Sequence, residues 1–260
     1  MSNMSKEKVE TPAVPESSVT KPAKIHYLSS SEASAIEKEL LNDYKFSELQ
    51  LAELGGLSVA TAVSNVYPAI GYKEALVICG SDASMIGSYG LAAAMHLKTF
   101  GYNVTIHYFK HSQKQHYSDL LLRCQKLGIK MMKLLPPIGK VKHNFKVIVD
   151  AFNGNDDELI LGTMINADVP VCSIDVPSGW DIEKGPLSEE DYLKPALLIS
   201  IGAPKMCSHP EHIKDARHFL GGRFIAPQLI KKYDLVLPNY PDVDQTVDMG
   251  CFGPCCRKHF

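Results

Sequence analysis

The sequence has little that would carry it to a membrane or to nucleic acid. No run of apolar residues approaches the length that spans a bilayer, so a transmembrane helix is excluded. The opening residues, MSNMSKEKVETPAVPESSVTKPAK, hold no apolar signal core and no Arg, and they carry Glu7, Glu10 and Glu16, which argues against a mitochondrial presequence. A cytoplasmic location is expected, with secretion by a route that uses no signal peptide left open. Charge of one sign is not in excess: 27 basic and 29 acidic side chains leave a net charge of −2, too little to concentrate the chain on nucleic acid or an anionic surface. The seven cysteines show no disulfide-framework spacing and read as free thiols of a reducing compartment. Cys251, Cys255, Cys256 and His259 gather near the end, but their spacing matches none of the usual zinc patterns. The terminus is not a prenylation signal either. A small neutral or mixed-charge ligand, or another protein, is the expected partner.

What is present is enough apolar residue, 45% of 260, to bury one substantial core. Residues 1–25, rich in Pro, Ser, Lys and Glu, are expected to be a disordered tail. A single domain is expected over 26–238, with 239–260 as a flexible C-terminal tail. A capping-box pattern at Ser29 and Glu32 opens an amphipathic helix through Asp43, with Ile36, Leu40 and Leu41 on one side. A second helix runs from Ser47 towards Tyr67 and ends at Pro68. From Glu74 the pattern changes. ALVICG, VTIHYF, KVIVDAF, PVCSIDVPS and ALLISIGAP read as buried strands, and LAAAMHLKTFG and HYSDLLLRCQKLG as helices closing on glycine. Apolar strands alternating with helices give an α/β fold whose central sheet is mostly parallel and covered by helices on both faces.

In such sheets ligands bind beyond the carboxyl ends of the strands, which draws attention to four places. The loop from Gly80 to Leu91 lies between a strand and a helix, where Gly80, Gly87 and Gly90 suit either a backbone that approaches phosphate or a turn that needs positive φ. Its spacing is neither a dinucleotide fingerprint nor a phosphate-binding lysine loop. Asp150 leaves an apolar strand, placed to hold a cation, to exchange a proton with its pKa raised by its surroundings, or to cap the next helix. In SIDVPSGWDIEKG, Asp175 and Ser178 flank the rigid Pro177 turn and can aim a carboxylate and a hydroxyl into one pocket, a set of hard oxygens suited to an alkali ion or a ribose. Lys205 closes the last apolar run, either to meet a phosphate or as an exposed lysine without a special role, and Trp180 is a packing anchor or a stacking platform.

Together EKELLNDYKFSELQLAELGGLSVATA, LVICG, LAAAMHLKTFGY, VIVDAF, SIDVPSGWD, LISIGAPK and LGGRFIAP resemble the NAD(P)H-hydrate epimerase family, also called the YjeF N-terminal domain family, over about Tyr27 to Pro241. The resemblance implies a Rossmann-like three-layer domain, often a homodimer, that interconverts the R and S hydrates of NADH and NADPH with a bound potassium ion. It implies Asp150 and Ser178 as potassium ligands, Asp175 as a substrate-binding aspartate, and Asp150 and Asp175 as the catalytic pair. A positioned carboxylate can act as acid and then base while water leaves and returns.

The sequence departs from the family in two loops. Met85 and Ile86 fall where the family has paired asparagines, and Tyr89 stands in place of an aspartate. The second loop is replaced by FNGNDDELILG, which sets Asp156, Asp157 and Glu158 where they would repel a diphosphate. Ser84, Ser88, Asn153 and Asn155 are the polar residues left to substitute. The expectation is a diverged, weakly active or inactive relative that acts by binding protein, by resemblance to the apolipoprotein A-I-binding members with a part in cholesterol efflux. The alternatives are an active potassium-dependent epimerase and a retained nucleotide sensor.

Overall fold

The computed structural model describes residues 25–80, 84–108, 114–154 and 157–251. Residues 1–24 of the expected tail over 1–25, together with Asn155, Asp156, Cys255, Cys256 and His259, lie outside them.

Both opening helices form where their caps predict. In α1 (Ser30–Asn42) the Ser29 side chain accepts the Glu32 N–H and Glu32 returns the bond, and in α2 (Glu48–Val66) Ser47 and Gln50 do the same. Satisfying these otherwise orphaned donors fixes where each helix starts. The strands that follow are β1 (Glu74–Cys79), β2 (Asn103–Tyr108), β3 (Lys130–Met132), β4 (Val147–Ala151) and β5 (Val171–Ile174). A hairpin of β6 (Trp180–Asp181) and β7 (Gly185–Pro186) precedes β8 (Leu197–Ile201), β9 (Arg217–Gly221) and β10 (Val247–Cys251). The main sheet has the order β10-β9-β8-β5-β4-β1-β2-β3, parallel throughout except for the β9–β10 pair.

Alternation along the strands builds two cores. Ala75, Val77 and Cys79 of β1 face α1, α2, α3 (Ile86–Thr99), α4 (Gln115–Lys126) and α7 (Pro227–Lys232). Leu76 and Ile78 face α5 (Ile138–Asn144) and α6 (Glu158–Asn166). This is the three-layer α/β architecture that the sequence predicts. The tight helix contact on the first face uses glycine: a Cβ on Gly56 of α2 would lie 2.4 Å from Ala92 Cβ and 2.8 Å from Ala93 N in α3.

The expected flexible tail over 239–260 is corrected in part, because β10 lies within it. β10 pairs antiparallel with β9, and Arg217 grips Asp248 through Nε at 3.0 Å and Nη2 at 2.6 Å. The unpaired N–H and C=O groups of β9 need a partner at the sheet edge, and composition does not report that demand. The four described cysteines outside β10, Cys79, Cys124, Cys172 and Cys207, are free and buried, as expected. Among the described residues, no helix is long and apolar enough to cross a membrane.

Candidate functional site

The chain reverses its direction of travel across the sheet between β1 and β4, and in a parallel sheet such a switch point opens a crevice beyond the strand ends. Here the ends of the two strands stay in contact. Gly80 and Phe152, the residues that follow the two strands, touch backbone to backbone, so that a Cβ on Gly80 would lie 1.9 Å from the Phe152 carbonyl oxygen. Above them Asn153 Nδ2 donates to Ser84 Oγ at 3.1 Å and bridges the two loops. Gly90 sits against Ala151 and Cys79, with an added Cβ 2.3 Å from Ala151 Cβ, and Gly87 is buried in α3. None of the three glycines has a positive φ. The left-handed-turn reading of this loop is therefore corrected: Gly80 and Gly90 sit where a side chain would collide with the neighbouring strand or its continuation.

Asp150 is 1% exposed and holds the neighbouring turn together. Its Oδ1 accepts from the Phe152 N–H at 3.2 Å and the Ser178 hydroxyl at 2.5 Å, and its Oδ2 accepts from the Ser173 hydroxyl at 2.8 Å and the Ser178 N–H at 3.0 Å. Ser178 Oγ in turn accepts the Asn153 N–H at 3.0 Å. Burial raises the Asp150 pKa, with the bonds from Ser178, Ser173 and Phe152 opposing the shift. A carboxylate has about four acceptor positions, and these four donors fill them. In this arrangement the carboxylate is fully hydrogen-bonded, and a cation held by Asp150 and Ser178 would require the Ser173 or Ser178 hydroxyl to turn away from it. Asp150 does not cap the helix that follows, since Asp157 does so by accepting the Ile160 N–H at 3.0 Å.

Asp175 is set apart from Ser178. It has a left-handed φ of 64° just past β5, which turns its side chain along the end of β8. Oδ1 accepts the Ile201 N–H at 3.0 Å and the Lys205 ammonium at 2.5 Å, and that ammonium also donates to the Ile201 carbonyl at 2.9 Å. Lys205 is 7% exposed, so the reading of a free surface lysine is corrected. A buried ammonium needs a counter-charge, and Asp175 provides it. The backbone beside Lys205 bridges to Leu28, with the Leu28 N–H on the Pro204 carbonyl at 2.8 Å and the Met206 N–H on the Leu28 carbonyl at 3.0 Å. This anchors α1 over the strand ends.

Beneath α1 lies a cavity of about 380 Å³. The Asp175–Lys205 pair lines it, with apolar wall from Ile36, Leu40, Met85, Ile86 and Ile225 and polar edge from Ser84 and Asn153. Tyr89 and Glu37 also face it. Burial pushes the Tyr89 phenol well above its ordinary value, and the charges of Asp175 and Glu37 add to the shift. Glu37 is exposed at the rim, yet desolvation by the apolar wall raises its pKa, with Lys205 opposing and Asp175 adding. The sequence reading missed Glu37 and the whole wall from α1. The one available signal was the amphipathic face of α1, which reads equally as plain core. Trp180 proves to be the packing anchor: its indole N–H donates to the Leu193 carbonyl at 2.9 Å and its ring meets Tyr192 edge-on.

The fold and site define a doubly covered, mostly parallel α/β protein with its cavity at the carboxyl edge of the sheet. Its sequence matches the family described as YjeF-related protein N-terminus over residues 48–207, more than half of the chain. The crystal structure of the yeast protein ynu0, YNL200c, superposes with a TM-score of 0.79 at 31% identity, covering 86% of this chain and 100% of that one. The chain belongs to the YjeF-related family, the one that the sequence resembles. A dipicolinate synthase chain from Bacillus halodurans overlaps 49% of this chain and 40% of its own at 17% identity, with a TM-score of 0.30. That overlap is too loose to carry an argument.

Proposed function

We propose that this protein is a diverged member of its family, weakly active or inactive as an NAD(P)H-hydrate epimerase, that works by binding another protein. The observation that supports this reading is the close contact at the switch point, where Gly80 abuts Phe152 and Ser84 bonds Asn153. Beside it Met85, Ile86 and Tyr89 face the cavity as largely apolar surface. A dinucleotide needs preorganised polar groups around its diphosphate. Losing several, at about 1–3 kcal/mol each, weakens binding by orders of magnitude. A cavity of about 380 Å³ also lies near the small end of ligand sites. The proposed protein acts without a potassium ion at Asp150, a reading supported by the four donors that the carboxylate already accepts. By family resemblance its partner is apolipoprotein A-I, with a part in cholesterol efflux, and its state is a homodimer.

The test is conversion of the R hydrate of NADPH to the S form with potassium present. The expected rate is close to the spontaneous one. Calorimetry with lipid-free apolipoprotein A-I is expected to give heat, and analytical ultracentrifugation to give a dimer. A catalysed rate well above background that Asp175→Asn abolishes would overturn the reading in favour of an active epimerase. One observation favours that second reading: Asp175 and Lys205 set a carboxylate and an ammonium side by side on the cavity wall, as reversible loss of water requires.

A further inference from the structure

We propose that the β3 edge of the sheet docks on an anionic phospholipid bilayer, with Lys126, Lys130, Lys133 and Lys140 against the lipid headgroups and Leu134 and Ile138 entering between them. The proposal goes beyond the reading above and holds whether or not the epimerase reaction is retained.

The near-balanced charge of the chain conceals a one-sided segment. Residues 120–149 hold seven of the 27 basic side chains and none of the 29 acidic ones. The fold spends this segment on the last strand of the sheet and its covering helices, with α4 on one face, β3 at the edge and α5 on the other face. Three of the seven cations are used elsewhere. Arg123 pairs with Glu53, Lys142 pairs with Asp168, and Lys146 precedes β4 inside the sheet. The other four are exposed and form no ion pair among the described residues. Lys126 ends α4, Lys130 begins β3 and Lys133 follows it at once. In α5, Val141 faces the sheet and Lys142 reaches towards the end of α6. At about 100° per residue Lys140 lies on the opposite flank of that helix, the one towards β3. The acids nearest along the chain do not compensate these lysines: Asp119 accepts from Gln115 at the start of α4, and Asp150 lies in the core.

Between the lysines stand apolar side chains that the fold leaves in water. Leu134 is 83% exposed at the turn after β3, Leu127 45% and Ile138 38%. Four residues of chain hold Leu134 and Ile138 within about 14 Å, and Pro136 and Pro137 stiffen the link. Lysine on an edge strand also wards off pairing with a second sheet, but on a strand of three residues Lys130 is enough for that, and bare leucine beside it works against the role. Nucleic acid has no use for exposed Leu and Ile, and Phe145, the one aromatic residue of the segment, is buried and offers no base a stacking surface. An acidic protein would need pockets shaped to a protruding edge, whereas lipid headgroups rearrange around it. Free lysines beside projecting apolar side chains are the composition of an interfacial anchor.

The experiment is co-sedimentation of the full chain with vesicles of phosphatidylcholine alone and with about 30% phosphatidylserine, at about 0.05 M and about 0.5 M salt. The protein is expected on the charged vesicles at low salt, released at high salt, and absent from the neutral ones. One lysine near an anionic surface supplies about fivefold in affinity, so the triple variant Lys130→Gln, Lys133→Gln, Lys140→Gln is expected to lower the partition roughly 100-fold. Leu134→Ser is expected to lower it roughly tenfold, the share of one buried leucine. A control triple, Lys184→Gln, Lys194→Gln, Lys214→Gln, removes the same charge from exposed sites near β8 and β9 and is expected to change little. Melting curves check that each variant folds. No binding to charged vesicles at low salt, equal binding to neutral ones, or equal losses in the two triple variants would each overturn the proposal. Soluble poly-L-glutamate reads the other occupant: if it binds through the edge lysines while the vesicles do not, the surface serves an acidic protein and the membrane proposal falls.

Discussion

Replacing Asp150 by Asn exchanges one carboxylate oxygen for an amide NH₂ at nearly constant volume, so it isolates the hydrogen bonds. If the NH₂ takes the Oδ2 position it faces the Ser178 N–H, and if it takes the Oδ1 position it faces the Phe152 N–H. A serine hydroxyl can turn and accept, but a backbone N–H cannot. Either orientation sets two donors against each other, and the remaining bonds lose the charge that made them worth about 1.5–3 kcal/mol rather than about 1. Removing a buried charge offsets part of this, since burial already raises the Asp150 pKa. The expected net loss is about 2–4 kcal/mol of unfolding free energy, read as a lower midpoint in urea denaturation followed by circular dichroism. An Asn variant as stable as the parent, yet stripped of a potassium-dependent epimerase rate, would refute the reasoning. Asp150 would then be a ligand and not a tie for the Val-Pro-Ser-Gly turn.

Two further perturbations test the packing and the electrostatics. His218, fully buried on β9 and 2.9 Å from Ser200 Oγ, has its pKa pushed down to about 4 by burial, with Asp248 opposing. Above the unfolded value near 6.5 both states are neutral and nothing is lost, whereas below it the unfolded chain takes up a proton that the fold refuses. Stability therefore falls as pH drops from about 6.5 towards 4, by about 3 kcal/mol, and His218→Gln is expected to remove that part of the slope in urea titrations at stepped pH. In the α2–α3 contact, Gly55→Ala and Gly56→Ala are each expected to cost about 1–3 kcal/mol by overpacking. Adding Tyr89→Ala is expected to rescue Gly55→Ala, whose Cβ has its three nearest contacts on the Tyr89 ring, and not Gly56→Ala, whose Cβ meets Ala92 Cβ and backbone. Double-mutant cycles in thermal melts read the difference.

The order of residues alone was enough wherever the physics is local. Capping boxes at Ser29 and Ser47 set the helix starts, and wholly apolar strands announced a sheet covered on both faces, because burial on two sides leaves no polar alternation. The string around Asp175 marked the right edge of the sheet. Features that depend on distant partners were settled by the folded chain. Folding made an edge strand of Val247–Cys251, a segment that composition alone reads as tail, because β9 needed a neighbour. It joined Asp175 to Lys205, where the spacing of residues paired Asp175 with Ser178 and only the family resemblance put Ser178 with Asp150, since the carboxylate that a donor meets is fixed by strand order and by one left-handed residue and not by spacing. It also brought Glu37 to the cavity rim through the bridge between Leu28 and Lys205, a contact across most of the chain that no local pattern encodes.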